Sequence, residues 1–201
     1  MIKHLLIDLD GTLTDPKVGI TTSARYGLAK ILQVEPNDVL AEQALMGYRE
    51  RFAVTGLYEN KVYPTVAETL QTLKLQGYQL FLATAKPTIY ARQILEHFEL
   101  EQYFTGIYGS ELNGDRTYKD ELIAYILEQE QLQASQCLMV GDREYDVLGA
   151  RHNGIEAVAV EYGYGTLQEL DHTAPKARIQ QFSQLPNVVA DLNSILASCQ
   201  A

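Results

Sequence analysis

Asp8 and Asp10 stand two residues apart at the end of the apolar run Leu5, Leu6, Ile7, and Gly11 follows them. On an extended strand, side chains two apart share a face, so both carboxylates project together from the strand end while glycine permits a sharp turn. Two close anions repel unless a cation or a proton lies between them. The pair therefore predicts either a divalent metal or one carboxyl held protonated. Taken alone, Asp-Leu-Asp-Gly also reads as a strand followed by an acidic, solvated turn, and residues further along must decide.

Three later segments carry matching groups. Ala83-Thr84-Ala85-Lys86-Pro87 brings a hydroxyl and backbone amides to an expected helix start, where anions bind well; Thr84 there also reads as a plain N-cap. Gly114 to Lys119 places Arg116 and Lys119 at the start of another expected helix. Cations oppose the helix dipole at that end, so a local anion would explain them, the alternative for Lys119 being a solvated outer face. Gly141-Asp142-Arg143-Glu144-Tyr145-Asp146 sets Asp142 and Asp146 four residues apart, one helical turn, able to face the same way. With Asp8 and Asp10 they make a four-carboxylate cluster suited to a hard cation, and Mg²⁺ fits: it takes few carboxylates, keeps waters and bridges to substrate phosphate.

The elements that must position these groups alternate. Short apolar runs of strand length are expected at Leu5 to Ile7, Tyr78 to Ala83, Phe104 to Tyr108, Cys137 to Val140, Glu156 to Val160 and Lys176 to Ile179. Helical spacing is expected from Pro64 to Gly77, from Pro87, over Lys119 to Leu132, after Gly141 to Asn153, and over Leu185 to Leu196. Such alternation predicts an α/β fold, a doubly wound (Rossmann-like) parallel sheet with its working groups at the C-terminal ends of the strands. Between the first strand and the rest lies a small helical insert. One helix follows an N-cap cluster at Thr21, Thr22 and Ser23; a break at Pro36, Asn37 and Asp38 leads into a second, from Val39 to about Gly56. The expected organisation is a core of 1–15 and 64–201 with a helical cap at 16–63.

At 201 residues, 46% apolar and 21% charged, the chain is long enough for a sizeable core and ordinary for a soluble protein. A formal net charge of −10 with no basic stripe disfavours nucleic-acid and anionic-membrane surfaces. No apolar run reaches membrane-spanning length and Asp8 interrupts the first one early, so a cytoplasmic location is expected. Cys137 and Cys199 have no metal spacing and read as free thiols.

In order along the chain, Asp8-Leu-Asp10-Gly-Thr12, Thr84, Lys119 and Gly141-Asp142-Arg-Glu-Tyr-Asp146 resemble the four motifs of the haloacid dehalogenase superfamily. Glu59-Asn-Lys-Val-Tyr-Pro64, Ala83-Thr-Ala-Lys-Pro87 and Gly163-Tyr-Gly165 look closest to its phosphoglycolate-phosphatase-like group. The resemblance implies a Mg²⁺-dependent phosphatase acting on a small phosphomonoester, such as phosphoglycolate or a nucleoside 5'-monophosphate, through an aspartyl phosphate. It makes Asp8 the nucleophile and a metal ligand, and Asp10 the acid and base, whose main-chain carbonyl also touches the metal. Thr84 and Lys119 grip the phosphoryl oxygens, Asp142 ligates the metal, and Asp146 supports it or Lys119. Against these relatives the cap is short by roughly 20 residues, more than ordinary loop variation. A phosphosugar mutase carries the same motifs, and a weakly catalytic metabolite-binding or regulatory relative is the alternative of another class. Homodimerisation that covers the site is a further expectation.

Overall fold

The computed structural model describes residues 1–29 and 38–198. Its elements are β1 (His4–Ile7), β2 (Thr14–Asp15), α1 (Lys17–Ala29), α2 (Asp38–Arg51), β3 (Lys61–Val62), α3 (Val66–Leu75), β4 (Gln79–Pro87), α4 (Thr88–His97), β5 (Gly106–Ser110), α5 (Lys119–Gln129), β6 (Cys137–Gly141), α6 (Glu144–His152), β7 (Glu156–Val160), α7 (Leu167–Thr173), β8 (Ala177–Ile179) and α8 (Leu185–Ser198). The chain divides into two units, Met1–Leu13 with Val62–Ala201, and Thr14–Lys61.

The larger unit is an α/β layer structure around a six-stranded sheet in the order β5-β4-β1-β6-β7-β8, parallel at every pairing. β1 lies inside it, with His4 to Ile7 registered against Gln79 to Leu82 on one side and Cys137 to Val140 on the other. A strand enclosed in this way must be apolar on both faces, which is why Leu5, Leu6 and Ile7 form an unbroken run and are all buried. Leu6, Phe81, Ala83, Met139 and Ala157 share one core with Leu122, Ile123 and Ile126 of α5 and Val147 and Ala150 of α6. Leu5, Ile7, Leu80 and Leu82 project to the opposite face by the two-residue period and are equally buried. α3 packs on β4 and on α8.

Sequence periodicity misplaced some boundaries, for physical reasons. The third strand runs from Gly106 to Ser110 rather than Phe104 to Tyr108; Phe104 closes a short 3-10 turn, and Gly106 and Gly109 weaken the strand signal. β4 continues past Ala83 to Pro87 through a bulge, so Thr84 lies on a strand and α4 begins at Thr88. β2, β3 and α7 are too short for periodicity to reveal.

The smaller unit holds α1, α2 and a π-helical turn over Phe52–Gly56. α1 starts at Lys17, before the Thr21 to Ser23 cluster read as its cap. Asp15 provides the cap instead: its Oδ1 accepts from the Lys17 N–H at 3.1 Å, with Pro16 between them. Inside the helix, Thr21 Oγ1 donates back to the Lys17 carbonyl at 2.6 Å. Arg51 grips Glu59 through both guanidinium nitrogens at 2.7 and 2.8 Å and donates to the buried Ser23 hydroxyl at 3.1 Å. The expected break at Pro36 and Asn37, and Cys199, lie outside the described residues.

Candidate active site at the strand ends

The site belongs wholly to the larger unit. Asp8 follows β1 directly, and its N–H still donates to the Val140 carbonyl at 2.9 Å, so the strand's pairing fixes the backbone of the first carboxylate. Gly11 then takes φ +86°, a conformation costly for any residue with a Cβ, and an added Cβ there would strike the Asp142 carboxylate.

Lys119, the first residue of α5, is buried; its Nζ donates to Asp8 Oδ1 and to the Ala83 carbonyl, each at 2.8 Å, and is ion-paired with Asp146 Oδ1 at 2.8 Å. The cation at a helix N-terminus is thus balanced by two carboxylates delivered from β1 and α6. Asp146 works with both oxygens, since Oδ2 accepts from the Arg143 N–H at 3.1 Å and so caps α6.

Asp142, just past β6, is fully buried. Its Oδ2 accepts from the Tyr164 N–H at 2.7 Å, while its Oδ1 is buried without a hydrogen-bond partner. A buried carboxylate oxygen left in that state is costly, and a cation beside it removes the cost. Asp8, Asp142 and Asp146 can each aim one oxygen so that all lie within 4.8 Å of one another. This is an all-oxygen, buried donor set of the kind Mg²⁺ takes. The residues present therefore fit a divalent cation such as Mg²⁺.

Electrostatics agree. Burial pushes the Asp8 carboxyl well above the usual carboxylate range, Lys119 pulls it back, and Asp146 and Asp142 push it up again. Burial pushes Asp142 up to about 6 against the pull of the Tyr164 N–H. Lys119 goes the other way: burial disfavours its charge, yet Asp146 and Asp8 outweigh burial and hold it above its ordinary value.

Asp10 carries a partner that sequence reasoning did not assign. Lys86 Nζ lies 2.8 Å from Asp10 Oδ2. Thr84 is buried and joined to this pair through the backbone, its Oγ1 accepting from the Lys86 N–H at 3.3 Å. Thus Asp8, Lys119, Asp142 and Asp146 form one cluster, and Asp10 and Thr84 meet at Lys86. The loop after β7 closes over the acidic cluster. Tyr162 donates its hydroxyl to the Thr12 carbonyl at 2.8 Å, and Tyr164 supplies the N–H on Asp142. Burial pushes the Tyr162 phenol far above its ordinary range, so it remains the donor. Arg143 pairs with Glu169 at 2.8 Å and Arg116 with Glu111.

The model of the haloacid dehalogenase-like hydrolases matches residues 30–160. A Pseudomonas aeruginosa protein named 5'-nucleotidase is 44% identical over 190 residues, 83% of this chain and 86% of that protein. Tyrosine-protein kinase PtkA of Mycobacterium tuberculosis is 34% identical over 191 residues, 85% of this chain and 66% of its own. A phosphoglycolate phosphatase of Vibrio parahaemolyticus is 26% identical, covering 94% of this chain and 96% of that one. Among solved structures, a predicted phosphatase from Clostridium acetobutylicum superposes with a TM-score of 0.89 at 36% identity, over 95% of this chain and 99% of that one. The family model over residues 30–160 and these likenesses together place the chain in the haloacid dehalogenase-like hydrolase family, as one of its phosphatases.

Proposed function

We propose that the protein hydrolyses a small phosphomonoester with Mg²⁺, through an aspartyl phosphate on Asp8. The observation that carries this reading is the buried Asp8 carboxylate, with Lys119 Nζ 2.8 Å from one oxygen and the unpartnered Oδ1 of Asp142 in the same acidic cluster. An isolated anion of substrate could not enter such a cluster unless its charge were neutralised, and Lys119 with a bound cation supplies that.

Asp8 and Asp142, with the Asp10 main-chain carbonyl, would hold Mg²⁺, and Asp146 would support Lys119 beside it. Bound there, the cation supplies charge neutralisation for the phosphoryl oxygens and orients them. A carboxylate oxygen of Asp8 attacks phosphorus, and the bond to the leaving oxygen breaks as Asp10 gives that oxygen a proton. Water then attacks phosphorus and yields its proton to Asp10. The bond to Asp8 breaks with its electron pair returning to the carboxylate, and inorganic phosphate leaves. Thr84 and Lys119 hold the phosphoryl oxygens throughout. The cap role of residues 14–61 belongs to the same proposal.

The 44% identical relative named 5'-nucleotidase favours a nucleoside 5'-monophosphate over phosphoglycolate as the first substrate to test. The test is phosphate release from a panel of both, in Mg²⁺ and in EDTA, for the wild type beside Asp8→Asn. Metal-dependent release that vanishes in Asp8→Asn supports the reading. Release that survives in Asp8→Asn, or none from any ester, overturns it.

A further inference from the structure

We propose that Lys86 is a positioning residue that orients the Asp10 carboxylate by holding its Oδ2. The inference rests on the reading of Asp10 as acid and base and adds to it the group that aims it.

Four observations converge. Lys86 Nζ is 2.8 Å from Asp10 Oδ2, and the two side chains are 6% and 24% exposed, so the cation lies deeper than the carboxylate it holds. Asp10 Oδ1 is buried without a hydrogen-bond partner, so among the described residues this carboxylate is held through Oδ2. The lysine is brought there by the irregular end of β4: Ala83 is level with Tyr108 and Pro87 with Ser110, so four steps along β4 match two along β5. Extra residues of this kind bend a strand and re-aim its side chains.

That irregularity is itself fastened. Ser110 Oγ donates to the Ala85 carbonyl at 2.7 Å, Thr84 Oγ1 takes the Lys86 N–H, and Thr88 Oγ1 donates to the Ser110 carbonyl at 3.3 Å. Gly109 lets β5 approach so closely that a Cβ there would strike the Lys86 carbonyl and meet Thr88 N at 3.0 Å. Backbone from two strands is thus committed to the placement of one ammonium group. A charge-assisted bond from a fixed donor leaves the carboxylate one orientation, where an unheld one would rotate about its terminal torsion. Orientation of an acid or base within hydrogen-bond reach of its target is the condition for its catalysis.

The consequence is a selective dependence on the leaving group. An alkoxide needs the proton that Asp10 provides; p-nitrophenolate departs without it. The probes are AMP and phosphoglycolate as alkyl esters and p-nitrophenyl phosphate as the aryl ester. They are read as kcat/KM, which covers the steps through leaving-group departure, for wild type, Asp10→Asn, Lys86→Met and Lys86→Arg. Asp10→Asn should lose about 100-fold or more on the alkyl esters and much less on the aryl ester. Lys86→Met should show the same pattern at about 10-fold, add nothing in the Asp10→Asn background, and be partly rescued in Lys86→Arg. Equal losses of Lys86→Met on both ester types, with Asp10→Asn selective, overturn the role of Lys86 alone. An unselective Asp10→Asn overturns the acid-base reading, and the role of Lys86 with it. A crystal structure of Lys86→Met supplies a readout free of turnover: an Asp10 carboxylate that keeps its wild-type orientation without the lysine also overturns the proposal.

Discussion

Replacing Lys119 by methionine keeps the stem's volume and apolar packing and removes only the ammonium group. In the structure that group spans Asp8 Oδ1, Asp146 Oδ1 and the Ala83 carbonyl, each at 2.8 Å, in a site where Asp142 adds a third carboxylate within reach. Breaking a buried pair by deleting one partner costs about 3–5 kcal/mol, because the remaining charges stay buried and uncompensated. With a urea slope of about 2 kcal/mol per M, a loss near 4 kcal/mol lowers the unfolding midpoint by about 2 M. The assay is urea unfolding at pH 8 in EDTA, followed by α/β circular dichroism, for wild type and Lys119→Met. Two further conditions sharpen it. At pH 5 the Asp8 and Asp142 carboxyls, pushed upward by burial, take up protons, so the deficit should shrink. Excess Mg²⁺ should restore part of it at pH 8 by replacing the missing positive charge. A midpoint within about 0.3 M of wild type at pH 8 in EDTA would refute the reasoning, since the carboxylates would then not depend on Lys119.

Asp142 titrates near 6 when folded, against about 3.9 unfolded. The folded state therefore binds more protons between these values, and metal-free stability should fall as pH rises from about 4 through 6. Mg²⁺ must displace that proton, so the rise in Tm on adding Mg²⁺ should be larger at pH 7.5 than at pH 5; equal shifts would contradict the assignment. In Gly163→Ala the new Cβ would strike the Asp142 side chain and crowd the Gly11 carbonyl. Calorimetric Mg²⁺ or Mn²⁺ affinity should fall by about 10–100-fold, as for other supports of a metal ligand, and unchanged affinity would count against metal binding at Asp142. Asp15→Ala removes the cap of α1 and should cost about 1 kcal/mol. Hydrogen exchange should quicken at the first amides of α1 and stay constant in α5.

By itself the sequence determined the class of fold and the chemical types at each strand end. Uninterrupted apolar runs such as Leu138 to Val140 are what a strand buried on both faces demands, and their alternation with helical spacing dictates parallel pairing. Asp8, Lys119, Asp142 and Asp146 were legible because each sits beside a strand end or helix start, where side-chain placement follows from local geometry. Where chain direction is set by hydrogen bonds rather than periodicity, the sequence was silent. The Asp15 cap, the extension of β4 through its bulge and the Arg143 to Glu169 pair are of this kind. Lys86 shows the difference most directly. In the sequence it is one cation beside Pro87. Only the packing of β5 against the β4 bulge carries its ammonium group to Asp10 and buries it there. Pairing of two strands 20 or more residues apart is a tertiary event, and a charge buried by it takes its meaning from the partner it meets.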